Sequence, residues 1–209
     1  MCVIWIEGII GAGKSTLTEK VCSSLNLRPL YEPVDSNPYL ELFYKEPSKY
    51  AFAMQMELLY RRYAMQQLAS YESVSGCGYK GAVLDRGLPG DRVFAKMLML
   101  SGHISELEWN TYCKAYDIMT NSLRPPSMMI YLDVEPSVAL QRIKSRSRGA
   151  EVNIDIEYLE SLKNGYYDLM VEISSGKHGW SKGIEVVKIP WNVDHQDPMD
   201  IIKIINNRL

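Results

Sequence analysis

The chain has 209 residues, of which 46% are hydrophobic and 23% are charged, so it can bury the core of one globular domain. A formal net charge of −2 and a pI near 6.0 argue against a general nucleic-acid-binding surface. No apolar run is long enough to span a bilayer, and the first strand-like run begins too early to leave room for a targeting segment. We therefore expect a single domain over residues 1–209, located in the cytoplasm, with no membrane partner.

Five short apolar runs alternate with helical patterns along the chain. They are Val3–Ile6, Leu30–Tyr31, Ala82–Leu84, Met128–Leu132 and Ile184–Ile189. Near-continuous apolar strands that alternate with helices indicate a parallel sheet covered on both faces. The pattern predicts an α/β fold with a five-stranded parallel sheet, and ligands are expected beyond the carboxyl ends of its strands.

The segment after the first run fits the phosphate-binding pattern G-x-x-x-x-G-K-[ST]. A helical pattern follows it, with Leu17, Val21 and Leu25 on one face. In such a loop the backbone N–H groups and the helix N-terminus point at bound phosphates. Lys14 is expected to reach the outer phosphates, and the Ser15 hydroxyl to help hold Mg²⁺. The residues predicted to bind a nucleoside triphosphate are Gly8, Gly11, Ala12, Gly13, Lys14, Ser15 and Thr16.

The acidic residues that follow predicted strands include Glu7, Glu32 and Asp85. Glu32 precedes a proline, which favours extended backbone, so its carboxylate could accept the proton of an attacking hydroxyl. A solvated loop carboxylate is an equally good interpretation of Glu32 alone. Asp85 occupies the place where an acid contacts Mg²⁺, directly or through water. Arg86 beside it could neutralise charge on a transferring phosphoryl group.

A long helix is predicted from about Ser48 to Ser70. Gln55 and Arg62 lie two turns apart on it and share a face, so an amide and a guanidinium could read the edge of a planar base. A solvated helix face is the simpler interpretation of that spacing. Asp91, at the start of the next predicted helix, could hold Arg62 in place or only cap its own helix.

Three arginines cluster near the end of the helix that begins at Pro136. Arg142 and Arg146 are four residues apart, and Arg148 follows just before a glycine. This favours a mobile lid over about residues 142–153 that clamps phosphates, rather than a basic helix end in solvent.

The ordered series of motifs resembles the deoxynucleoside kinase family, which includes deoxycytidine, deoxyguanosine and deoxyadenosine kinases. The resemblance covers nearly the whole chain and implies a P-loop kinase fold with an arginine-rich lid. It implies that Glu32 activates the 5′-hydroxyl, that Arg86 assists at that oxygen, and that Asp85 helps place Mg²⁺.

The same resemblance assigns the residues that would bind each part of the ligands. Tyr44 and Glu151 would hold the sugar 3′-hydroxyl. Gln55, Arg62 and Asp91 would read the base. ATP would be enclosed by the lid and by a loop near its adenine, with Arg142, Arg146, Arg148, Asp194 and Asp197.

Departures from the family pattern involve the metal, the sugar and the base. Larger members of the family carry an aromatic residue shortly after Glu-Pro-Val, under the sugar and base, and here that position falls near Asn37. The family commonly has Glu-Arg-Ser where this chain has Asp85-Arg86-Gly87, and the shorter carboxylate should still reach Mg²⁺. Met54 precedes Gln55, so a thioether is expected against the base where an aromatic ring would stack. This version is similar to the compact purine deoxynucleoside kinases.

A carboxylate base at Glu32 suits a neutral hydroxyl and would repel a substrate that is already phosphorylated. We therefore expect ATP-dependent phosphorylation of deoxyadenosine or deoxyguanosine for nucleotide salvage. The sequence does not distinguish between these two nucleosides. Deoxycytidine or broad specificity stays open, and thymidylate kinase is a weaker alternative. A nucleotide switch without a small-molecule substrate is an alternative from another functional class. The N-K-x-D motif that a GTPase would need is absent from the sequence, which argues against a GTPase. By resemblance, a homodimer is expected.

Overall fold

The computed structural model describes residues 2–32, 34, 36–75, 78–146, 154–193 and 196–209, without the side chains of 73–75. Within these residues five strands form one parallel sheet in the order β2-β3-β1-β4-β5. The strands are β1 (Cys2–Glu7), β2 (Arg28–Leu30), β3 (Gly81–Asp85), β4 (Met128–Asp133) and β5 (Glu185–Pro190). Each predicted apolar run therefore belongs to a strand, although β2 ends before Tyr31.

Helices connect the strands. Within the described residues they are α1 (Lys14–Leu25), α2 (Leu40–Lys45), α3 (Pro47–Ser75), α4 (Leu88–Leu100), α5 (Glu106–Asn121), α6 (Pro136–Arg146), α7 (Ile156–Ser174) and α8 (Met199–Asn206). The predicted long helix is α3, which extends further at its C-terminal end than expected. Ser48 lies inside α3 and does not precede it, and its hydroxyl lies 3.1 Å from His103 Nδ1.

The core explains why the central strands have continuous apolar sequences. Every residue of β1 and β3 is buried, because helices cover both faces of the sheet. Helix α1 contacts β1 and β3 and packs with α8, whereas α3 contacts the same two strands and packs with α4. No helix in the described part of the chain is long and apolar enough to cross a membrane.

The sheet also positions the polar residues predicted from the sequence. Strand β1 lies between β3 and β4, and its last residues lead into the phosphate-binding loop. The register pairs Ile6 with Asp85, so the ends of β1 and β3 lie side by side. Strand β2 brings its own carboxyl end to the same edge.

Candidate active site

The loop between β1 and α1 has the conformation that its glycines permit. Gly11 and Gly13 have φ of +79° and +91°, which L side chains rarely adopt. A Cβ on Gly11 would lie 2.5 Å from the carbonyl oxygen of Ala139, because the loop packs against α6. The glycine at position 11 therefore also allows α6 to pack closely against the predicted phosphate loop.

Lys14 is buried beneath this loop. Its Nζ donates to the carbonyl oxygens of Gly8 at 3.3 Å and Ile9 at 3.2 Å. Burial and the nearby charge of Arg86 lower the pKa of Lys14 to about 8. The ammonium thus lies where it can meet phosphate oxygens that approach the loop.

Ser15 and Asp85 meet as the sequence predicts. Ser15 Oγ donates to Asp85 Oδ2 at 2.5 Å. The other carboxylate oxygen, Asp85 Oδ1, is buried and accepts no hydrogen bond from the described residues. A hydroxyl and an unsatisfied carboxylate oxygen beside a phosphate loop fit Mg²⁺, which binds few protein ligands and takes the rest from phosphates and water.

The Glu32 carboxylate lies between two guanidinium groups. Arg86 Nε donates to Glu32 Oε1 at 3.0 Å, and Arg62 Nη2 pairs with the same oxygen. Burial would raise the pKa of Glu32, but the charges of Arg86 and Arg62 outweigh it and lower the pKa to about 2. Only 16% of the side chain is exposed, so the interpretation of Glu32 as a solvated loop residue is wrong.

The residues predicted to read a base form one buried cluster, so the simpler interpretation of Gln55 and Arg62 as a solvated helix face is wrong. Arg62 Nη1 pairs with Asp91 Oδ1, and Gln55 Nε2 donates to the Asp91 carbonyl oxygen at 3.1 Å. Gln55 Oε1 is buried and has no hydrogen-bond partner within the described residues. Asp91 lies inside the first turn of α4, whose N-cap is Gly87, so the interpretation of Asp91 as a cap is wrong. Tyr112 holds the remaining carboxylate oxygen, donating to Asp91 Oδ2 at 2.5 Å.

One cavity of about 520 Å³ joins the phosphate loop to this cluster. Its volume is in the range of small-molecule sites. The predicted site residues that line it are Gly11, Gly13, Lys14, Ser15, Thr16, Glu32, Tyr44, Gln55, Arg62, Asp85, Arg86 and Arg146. Met54 lines it as well, in agreement with the expected thioether.

Phe94 and Tyr158 also line the cavity, and sequence reasoning assigned neither to the site. Phe94 lies one helical turn after Asp91 on α4, a spacing that could have identified it. The Arg86 guanidinium carbon lies 4.5 Å from the centre of the Phe94 ring. The cavity therefore contains an aromatic ring in addition to Met54.

The described part of the predicted lid is the end of α6. Arg142 Nη1 donates to the carbonyl oxygen of Trp191 at 3.1 Å, which ties α6 to the end of β5. Arg146 reaches the cavity. The predicted lid residues 147–153, including Arg148 and Glu151, lie outside the described residues.

The predicted adenine-bordering residues are only partly described. Asp194 lies outside the described residues. Asp197 is exposed, and its carboxylate accepts a hydrogen bond from Met199 N at 3.0 Å at the start of α8. Its contact with adenine stays a prediction.

The fold and the site together define a P-loop nucleotide-binding protein with a second ligand space beside the phosphates. Over residues 4–207 the chain matches the model of the family described as deoxynucleoside kinase, and it belongs to that family. It is accordingly an enzyme that phosphorylates deoxynucleosides.

Two relatives from Dictyostelium discoideum are similar along most of their length. A deoxyadenosine kinase is 39% identical over 202 residues, which cover 97% of this chain and 77% of the relative. A deoxyguanosine kinase is 37% identical over 205 residues, which cover 98% of this chain and 69% of the relative.

Solved structures of deoxyadenosine kinases have a similar fold. A deoxyadenosine kinase from M. mycoides with bound dCTP has a TM-score of 0.81 and 28% identity, covering 99% of this chain and 100% of that one. A structure of deoxyadenosine kinase from the same organism with bound dATP has a TM-score of 0.75. Members of this family thus bind nucleoside triphosphates.

Proposed function

We propose that the protein transfers the γ-phosphoryl group of ATP to the 5′-hydroxyl of a purine deoxynucleoside, with deoxyadenosine preferred. The main supporting observation is the cavity itself, which has Glu32 and Arg86 beside the phosphate loop. Further along its wall lies Arg62, which pairs with the buried Asp91 behind it. The relatives named as deoxyadenosine and deoxyguanosine kinases support a purine. The product would be a deoxynucleoside monophosphate, a precursor for DNA synthesis.

Glu32 is the proposed acceptor of the 5′-hydroxyl proton. Its low pKa means that it is ionised at neutral pH, so it can orient the hydroxyl through a hydrogen bond. In a loose phosphoryl-transfer transition state, the attacking oxygen needs little deprotonation before it approaches phosphorus. A weakly basic carboxylate therefore suffices, because it takes the proton late. Arg86, on the same oxygen of Glu32, would stabilise charge at the reacting centre.

The same carboxylate favours a nucleoside over a nucleotide. A monophosphate group beside Glu32 would bring two like charges together in a largely buried site. Thymidylate kinase activity is therefore the weaker candidate.

Lys14 and the loop glycines would bind the β- and γ-phosphates of ATP, and Arg146 would approach them from α6. Arg142, Arg148, Asp194 and Asp197 stay predicted ATP contacts. Ser15 and Asp85 would hold Mg²⁺, which when bound neutralises charge on the phosphate oxygens. Tyr44, on the cavity wall, would meet the sugar 3′-hydroxyl, with Glu151 as its predicted partner.

The orientation of the Gln55 amide is the reason to prefer adenine. One N–H of its NH₂ group donates to the Asp91 carbonyl oxygen, and Oε1 accepts no hydrogen bond from the described residues, so Gln55, which lines the cavity, keeps an acceptor available. Adenine presents an amino donor next to N7, whereas guanine presents the O6 acceptor there. If Gln55 Oε1 faced guanine O6, neither oxygen would receive a hydrogen bond, at a cost of roughly 1–3 kcal/mol.

A phosphorylation assay with ATP, the four deoxynucleosides and thymidylate tests the proposal. We expect nucleoside-dependent ATP consumption, with the highest kcat/KM for deoxyadenosine and a lower value for deoxyguanosine. Turnover of thymidylate alone would refute the role of Glu32. ATP hydrolysis that is slow and independent of every acceptor would favour a nucleotide switch.

We also propose that the protein forms a homodimer through α4 and α7. Leu100 on α4 is 71% exposed and Val171 on α7 is 69% exposed, although both are apolar. Lys96 on α4 and Asp168 on α7 pair at 3.8 Å within the chain beside these residues, so the surface also carries charges of both signs, as a self-complementary two-fold interface requires. Light scattering should give the mass of a dimer, and Leu100→Glu should give a monomer. A monomeric native protein would contradict the proposal.

A further inference from the structure

Arg86 has a backbone conformation that is unusual for an arginine. Its φ is +73°, in the left-handed region that non-glycine residues rarely adopt. Such a conformation costs energy and persists only where surrounding contacts maintain it. One contact comes from the neighbouring strand β1, because the Arg86 N–H donates to the carbonyl oxygen of Ile6 at 3.0 Å.

Glu7 supplies a second set of contacts around Arg86. The Glu7 side chain, at the end of β1, is completely buried. Its Oε1 accepts a hydrogen bond from Gly87 N at 2.7 Å, which fixes the residue that follows Arg86. Its Oε2 accepts from the Tyr166 hydroxyl at 2.9 Å and lies 3.8 Å from Arg86 Nη1.

Helix α4 is shaped to accommodate this carboxylate. A Cβ on Gly90 would lie 2.5 Å from Glu7 Oε2 and 2.7 Å from Oε1. Any larger residue at position 90 would therefore displace the Glu7 carboxylate from the position where it contacts Gly87 and Tyr166. The first turn of α4, which also carries Asp91, is thus packed directly onto Glu7.

Tyr166 joins Glu7 to the Arg86 side chain. Its hydroxyl donates to Glu7 and accepts from Arg86 Nη1, which uses both hydrogen-bonding functions of a phenol. Burial raises the pKa of Tyr166 well above its ordinary value, so the hydroxyl keeps its proton. Its ring packs edge-on to Phe94, the ring under the Arg86 guanidinium.

We propose that Tyr166, oriented by Glu7, is a positioning residue that fixes the Arg86 guanidinium for phosphoryl transfer. With Nη1 held by Tyr166 and Nε by Glu32, the plane of the guanidinium is determined, and Arg86 lines the cavity. Tyr166 is not among the described residues that line the cavity, so it acts through Arg86. The inference rests on the proposed role of Arg86.

A double-mutant cycle tests the inference, with Tyr166→Phe, Arg86→Ala and the combination. Tyr166→Phe keeps the ring and removes only the hydroxyl, and we expect kcat to fall about tenfold while the nucleoside KM stays within about twofold. If Tyr166 acts through Arg86, adding Tyr166→Phe to Arg86→Ala should cause no further loss of kcat. Tyr167→Phe is the matched control. The Tyr167 hydroxyl donates to Asp133 Oδ1 at 3.0 Å and not to Glu7, so this variant should keep native kcat.

The other outcomes each overturn the inference in a distinct way. Native kcat in Tyr166→Phe, or the same fractional loss in both backgrounds, would show that Tyr166 does not act through Arg86. Native kcat in Arg86→Ala would refute the proposed role of Arg86 itself. All rates are measured well below the Tm of the least stable variant. Glu7→Gln retains the size of the side chain and should reproduce the kcat loss of Tyr166→Phe.

Discussion

The Arg86 guanidinium donates to the Glu32 carboxylate across 3.0 Å, although 54 positions separate the two residues in the chain. The sheet register explains the contact. Leu30 on β2 pairs with Leu84 on β3, so the residues two positions further on, Glu32 and Arg86, emerge opposite each other. Strand β1, on the other side of β3, delivers the phosphate loop to the same edge. The strand order thus brings the proposed base, its arginine and the phosphate site together.

Lys14 should produce an alkaline limb in the pH profile. Because burial and Arg86 lower its pKa to about 8, the free enzyme loses this positive charge as the pH rises through 8. We expect kcat/KM for ATP to fall above that pH, while kcat falls only at higher pH, since bound phosphates raise the pKa again. Initial rates across the pH range check this, and Lys14→Arg should remove the limb because arginine does not titrate there. Identical limbs for kcat and kcat/KM would contradict the assignment.

Asp85→Asn should weaken the binding of Mg²⁺ selectively. The amide can still accept the Ser15 hydrogen bond, but it removes the negative charge from the proposed metal site. We expect the Mg²⁺ concentration for half-maximal rate to rise about tenfold or more, with little change in nucleoside KM. Asp117→Asn, on the exposed face of α5, is the control. An unchanged Mg²⁺ titration would exclude Asp85 as a metal ligand.

Arg62 and Arg61 are adjacent but should respond differently to substitution by methionine. Arg62 is 2% exposed and contacts both Asp91 and Glu32, whereas Arg61 pairs with Glu57 on an outer face of α3. Arg62→Met removes a cationic partner from each of two buried carboxylates, so kcat/KM for deoxyadenosine should fall about a hundredfold and Tm should drop. Arg61→Met should change the free energy of unfolding by less than about 0.5 kcal/mol. Equal effects in kinetics and thermal unfolding would refute this division.

The sequence predicts the local parts of the site well. The phosphate loop depends on a short motif between a strand and a helix, and both appear where expected. The facing positions of Gln55 and Arg62 follow from helical periodicity, which is insensitive to tertiary structure. The interpretation of Asp91 required the start of α4, which begins at Leu88 and so places Asp91 inside the first turn.

The Glu7–Tyr166 contact could not be predicted in this way. It joins residues 159 positions apart, and its geometry depends on how α7 packs beside the sheet. Helical periodicity places Tyr166, and not Tyr167, on the buried face of α7 with Leu162 and Leu169, but it does not identify Glu7 as the partner of the Tyr166 hydroxyl. Only packing shows that Tyr166 is fully buried against Glu7, while Tyr167 reaches Asp133.

Glu32→Gln tests the central claim most directly, with steady-state rates measured at saturating ATP, Mg²⁺ and deoxyadenosine. The amide keeps the size of the side chain but can neither accept the proton nor carry the charge, so kcat should fall by about 10² to 10⁴ with nucleoside KM nearly unchanged. Glu19→Gln, on the exposed side of α1, should behave as the native enzyme. A Glu32→Gln enzyme with native kcat would contradict the account.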